Sequence, residues 1–169
     1  MFIRAIAVSF VLAMSASAAS AQTPDVKIPP ELAKPGDEVV AVFRAGGGSQ
    51  TYQCFRANGE SHWDYMGPRA PLRIEEKVVG RVQTGPIWTH NDGSSVTGKL
   101  VKQIDADKPE NFKYERYDVV ASKGSGVFTG VTAVVMVDTE SGVLTGACKD
   151  HGMIFGEPYW ATYVFLKSK

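Results

Sequence analysis

The chain has 169 residues, 44% of them hydrophobic, and its 18 Lys and Arg balance 18 Asp and Glu. That neutrality excludes a nucleic-acid partner, which would need clustered cations to meet phosphates, and equally excludes a polybasic membrane anchor. The length suits a single domain able to bury its own core.

The first element reads as an export signal over residues 1–21. Arg4 precedes the apolar run IAVSFVLAM, and Ala19-Ser20-Ala21 has the small-residue form of a cleavage site before Gln22. The apolar run is too short to span a bilayer, and no later segment is long enough to cross as a helix. The chain is therefore expected to be exported, to the periplasm or the extracellular space. Residues 22–37 (QTPDVKIPPELAKPGD) are proline-rich and aperiodic and read as an extended leader, with a β-rich domain over 38–169.

Within that domain, short β-like runs alternate with turn signals. EVVAVF (38–43) is followed by AGGGS, read as a flexible turn, and then by QTYQCF (50–55). Asn58-Gly59 is a strong hairpin signal. SHWDYM, PLRIEE, KVVGRV and GPIWTH follow, then SVTGKLVKQI (95–104), a polar DADKPEN loop and FKYERYDVVA (112–121). GVFTGVTAVVMVDT (126–139) suits a strand buried on both sides or bent at Gly130. In PYWATYVFLK (158–167) both alternating faces are mainly apolar, as in a central strand. Nine or ten strands without a convincing helical period after residue 21 predict an all-β sandwich or barrel.

The two cysteines, Cys54 and Cys148, form an even pair in a chain expected in an oxidising compartment, so a disulfide tying the ends of the domain is expected.

Several of these runs, taken in order, resemble an uncharacterised exported family catalogued as domain of unknown function 3455. They are QTYQC with Trp63 downstream, PRAPL (68–72), VG followed by GPIW (79–88) and DGSSVTG (92–98). GSGVFTGVT (124–132), the T-x-x-G near Thr139, Cys148 and PYWATYVF complete the set. The resemblance implies an exported, single-domain, β-rich protein and supplies no reaction. A His that the family commonly carries before the G-P-x-W piece is replaced here by Val82, and the charged FKYERYD stands where an apolar run is expected.

For chemistry, His62, His90 and His151 lack the short-spaced pairing of a zinc site, so no metal and no cofactor is expected. DADKPEN places Pro109 on a ligand position of a calcium loop and lacks its Gly. Ser94 and Ser95 lie near His90 and Asp92, but residues so close in one turn diverge, whereas a triad needs a linear relay. AGGGSQ has no Lys-Ser/Thr after it and is no phosphate loop, and Glu75 and Glu76 fall on opposite strand faces. The tryptophans and tyrosines either build the core or line a pocket at a barrel mouth. The candidate ligand pocket comprises Trp63, Trp88, His90 and Asp92. The leading expectation is a non-catalytic binding or structural module whose partner is a small molecule or an envelope component. The alternative is a small hydrolase or metal-dependent enzyme using His90 and Asp92.

Overall fold

The computed structural model describes residues 25–168; the export signal expected over residues 1–21 lies outside them. Eight strands form one closed antiparallel barrel in chain order. They are β1 (Asp37–Ala57), β2 (Glu60–Ile74), β3 (Lys77–Gln83), β4 (Ile87–His90), β5 (Ser95–Ile104), β6 (Tyr114–Lys123), β7 (Ala133–Ser141) and β8 (Ile154–Ser168). The all-β expectation holds in its barrel form, with eight strands instead of nine or ten. The reason is fusion: EVVAVF and QTYQCF are both part of the 21-residue β1, and SHWDYM and the PLRI of PLRIEE are both part of the 15-residue β2. AGGGS is correspondingly a bulge inside β1 and not a turn between strands, with a register shift between Ala45 and Ser49. A side chain at Gly48 would collide with the Arg69 carbonyl, so the bulge requires glycine there.

Alternation along the strands fills the interior, as the dimensions of an eight-stranded barrel demand. Phe43, Leu72, Trp88, Val134, Met136, Tyr159, Tyr163 and Phe165 meet inside as one cluster. β8 pairs with both β7 and β1, and both of its faces are covered. Tyr159, Ala161, Tyr163 and Phe165 point into the core, while Val164 and Leu166 point outward with Val135 and Val137 of β7. That outer patch is covered by the segment before β1, where Leu32 is fully buried and Val26 and Ile28 pack beside it. Arg116 on β6 fastens the segment, donating to the Leu32 carbonyl at 2.8 Å and to Asp37 at 2.7 Å.

The turns follow local chemistry. Asn58 and Gly59 both take positive φ (54° and 84°), the primed turn that matches strand twist. Cys54 and Cys148 form the disulfide, joining β1 to the loop between β7 and β8.

Candidate functional site

The barrel has two unlike ends. At one, the β4–β5 turn and the β6–β7 loop lock together. Asp92 Oδ1 accepts from the Ser94 amide at 2.8 Å and its hydroxyl at 2.6 Å, while Asp92 Oδ2 accepts from the Val127 amide at 2.7 Å. These donors, the Ser94 hydroxyl foremost and then the Val127 amide, hold the Asp92 carboxyl well below the usual carboxylate range. Gly93 supplies the positive φ of the turn (91°). The anchored loop drops Phe128 into the barrel mouth, stacked 4.4 Å from Phe165, and the end is closed.

His90 belongs to this plug. Its Nδ1 lies 3.0 Å from Asp92 Oδ2, and its ring sits 5.8 Å from Phe43 and 6.0 Å from Phe128. Histidine, aspartate and serine are thus in contact, but in an order that gives no nucleophile. Asp92 stands between His90 and Ser94, so the serine hydroxyl bonds a carboxylate and not the imidazole base. Trp88 is fully buried, its ring edge-on to Tyr117 at 5.2 Å and Tyr163 at 5.7 Å. Trp63 is on the β1–β2 extension at the opposite end, 6.1 Å from Phe155. The structure therefore brings Trp88, His90 and Asp92 into one half of the barrel and leaves Trp63 at the other.

At that other end the wall is incomplete. β4 is four residues long and pairs with β5 only from Ser95 to Thr97. β3 pairs with β2 only over Ala70–Ile74. The facing edges of β2 before Ala70 and of β5 after Thr97 therefore have no strand between them. Tyr65 and Leu100 stand opposite the buried Tyr52 and Tyr117 on the inward register, yet are 38% and 41% exposed. This gap in the strand pairing forms a notch at Tyr65 and Leu100, with Phe112 of the β5–β6 loop packed 4.8 Å from Tyr65.

Behind the notch lies a polar cluster that reasoning from sequence missed. Glu115 and Gln50 are fully buried. The Tyr117 hydroxyl donates to Glu115 Oε2 in a very short hydrogen bond, and Gln103 Nε2 donates to Oε1 at 2.6 Å. Tyr65 donates to Gln50 Oε1 at 2.8 Å, Tyr52 donates to the Gly142 carbonyl at 2.7 Å, and the hydroxyls of Tyr159 and Tyr163 are 3.2 Å apart. Burial pushes the Glu115 carboxyl upward, outweighing the Tyr117 and Gln103 hydrogen bonds that oppose it. Burial also raises Tyr52 to about 12 and Tyr65, Tyr117, Tyr159 and Tyr163 further still. The phenols stay neutral at physiological pH and offer hydrogen bonds. Gln50 Nε2 and Trp88 Nε1 are two of four buried polar side-chain atoms without a hydrogen-bond partner among the described residues, the others being Thr51 Oγ1 and Arg116 Nε. The sequence held one signal for this site: alternation in YERY puts Glu115 on the face of Tyr117 and Arg116 on the other.

The remaining histidines gather elsewhere. His62 and His151 flank Phe55 at 5.1 and 5.6 Å, and His62 Nε2 is 3.2 Å from Asp64. No group of three or more His, Cys, Asp or Glu among the described residues is placed to hold a metal ion.

Residues 73–167 match the family described as "Protein of unknown function (DUF3455)", and the chain belongs to it. No significant match occurs among curated proteins or solved structures.

Proposed function

We propose that this member of the DUF3455 family is an exported, non-catalytic binding module of the cell envelope or extracellular space, taking a small uncharged polar ligand at the notch. The observation that carries the reading is the Gln50 side-chain nitrogen, fully buried and without an acceptor, in a tyrosine and glutamate cluster behind an unwalled edge of the barrel. A buried donor left unsatisfied costs about 1–3 kcal/mol, which an incoming carbonyl or hydroxyl oxygen would recover. Exposed aromatic surface at Tyr65 and Phe155 suits a ring-bearing ligand. Raised phenol and carboxyl pKa values favour neutral groups over ions. The disulfide and the signal-like residues 1–21 support export. The charged Arg69 and Arg81 on the outer wall oppose a lipid-facing barrel.

Two-dimensional NMR titration of the protein with phenol and with methyl β-glucoside tests the ligand class. Shifts confined to Gln50, Tyr65, Leu100 and Gln103, and weakened in Gln50→Leu, are expected; shifts elsewhere or none would overturn the reading. Export is tested by fractionating the native host and sequencing the mature N-terminus, which is expected at Gln22.

A further inference from the structure

The outer face of β1–β3 carries four arginines that neither the core nor the notch employs. Arg44, Arg69, Arg73 and Arg81 all fall on the register opposite the inward-pointing Phe43, Ala70, Leu72 and Val82. Arg44 and Arg73 are direct partners across the β1–β2 ladder. Like charges placed opposite one another destabilise a sheet, so this arrangement carries a cost that packing does not explain. Neutralisation is sparse. Arg44 lies 3.8 Å from Glu140, with both side chains more than half exposed. Arg73 donates to the Glu76 carbonyl, not to a carboxylate. Arg81 Nε is held by Gln83 at 3.0 Å, which orients the guanidinium and leaves its outer nitrogens free. Arg69 has no hydrogen-bond or ion-pair partner among the described residues, and Glu75 and Glu76 in the adjoining turn form no ion pair there. In a chain of zero formal charge, this concentration on one face stands apart.

Beside these arginines the wall is hollowed into a trough of about 450 Å³, bordered by Gly47, Gly48, Pro71, Val78, Arg69 and Arg81. The β1 bulge creates it. Gly46 and Gly47 pair with neither β2 nor β8, and Gly47, which borders the trough, has no side chain to fill it. Pro71 opposite Arg81 contributes no backbone donor. Arg69 and Arg81 are diagonal neighbours across β2 and β3, a spacing of about 7–8 Å that two long side chains span easily.

The geometry points to a binding site for a multiply charged oxyanion, a phosphate group or a polycarboxylate, gripped by the guanidinium forks of Arg69 and Arg81. Guanidinium presents paired N–H donors that match two oxygens of one anion, so the pair selects oxyanions over halides. Arg44 and Arg73 add field along the approach without touching the ligand. The site faces outward from β1–β3 and is independent of the notch, so either can exist without the other.

Calorimetric titration with inorganic phosphate and with citrate at low ionic strength tests it. Saturable binding is expected, weakened about tenfold or more in Arg69→Gln and in Arg81→Gln, because each removes charge-assisted hydrogen bonds. Lys99→Gln removes the same charge from β5 and is expected to change affinity less than about twofold. Unligated melting temperatures of the variants should match the parent. A second arm uses phosphatidylcholine vesicles with and without phosphatidic acid, whose headgroup is a phosphate monoester: arginine-dependent binding to the anionic vesicles alone assigns the oxyanion to a lipid headgroup, and binding to phosphate or citrate alone assigns it to a free solute. Absence of saturable binding in both arms, or an equal loss in Lys99→Gln, would overturn the site. Tyr65→Phe should leave anion binding unchanged, which separates this result from the fate of the notch.

Discussion

Asp92 accepts a 2.7 Å hydrogen bond from the amide of Val127, 35 residues further along the chain, and through that contact a two-strand turn holds shut one end of the barrel. Phe128 is the plug and Asp92 is the latch. A side chain at Gly126 would collide with the Asp92 carboxylate, so the two motifs are matched to one another. DGSS and GSGVFTG are thus two halves of one closure.

Removing the latch should loosen that end. Asp92→Ala leaves the Ser94 and Val127 amides without their acceptor and is expected to lower the melting temperature and raise hydrogen exchange over residues 124–132. Asp92→Asn keeps one acceptor oxygen and should fall between. The pH dependence has a definite sign. The folded pKa of Asp92 is depressed below 3.8, so its stabilising contribution is present above the ordinary Asp value and fades as pH falls through the folded one. The gap between the parent and Asp92→Asn should therefore shrink below about pH 4, read by thermal melts in acid.

Glu115 behaves oppositely. Its folded pKa is raised above 4.5, chiefly by burial, so the stability linked to its neutral form is present below the unfolded value and lost as pH rises. Glu115→Gln, which cannot ionise, is expected to match the parent in denaturant unfolding near pH 4 and to exceed it near pH 8. Equal stability at both pH values would show that Glu115 gains enough from Tyr117 and Gln103 to ionise without penalty.

Much of this fold was legible because alternation is a local property. The two faces of PYWATYVFLK could be assigned from residue spacing, and Asn58-Gly59 marked its own turn. Strand fusion was not legible, since AGGGS looks the same as a turn or as a bulge until β2 is laid beside it. The candidate site was harder for a similar reason. Alternation in YERY could set Glu115 on the face of Tyr117 but not tell that this face is the inward one, because Gln103 meets Glu115 only through strand pairing and Tyr65 reaches the cluster from 50 positions upstream. The residues around Asp92 were visible because they touch within one turn, which is also why they serve architecture.

The disulfide ties β1 to the β7–β8 loop across 94 residues. Replacing both cysteines by alanine should destabilise the protein by about 2–5 kcal/mol in urea unfolding at neutral pH. The lower part of that range is expected, because the Cys54 amide and carbonyl remain paired with Met153 and Gly152 and keep the loop near β1.

The segment before β1 supplies the last test, since a buried cation and an apolar patch both hold it to the barrel. Arg116 and Asp37 form a 2.7 Å ion pair with side-chain exposures of 3% and 7%, and Arg116 also bonds the Leu32 carbonyl. Burial alone would raise the Asp37 pKa, but the Arg116 hydrogen bond and the other donors around it depress it overall. Arg116→Ala strands a nearly buried carboxylate and should cost about 3–5 kcal/mol. Leu32→Ala removes only packing against Val135, Val164 and Leu166 and should cost about 2–5 kcal/mol. The two effects have different pH signatures. Lowering pH through the Asp37 range protonates the carboxylate stranded in Arg116→Ala and recovers part of that loss, whereas the Leu32→Ala deficit stays constant. Thermal melts of both variants between pH 3 and pH 7, with hydrogen exchange over residues 25–36, distinguish an electrostatic clasp from a purely apolar one.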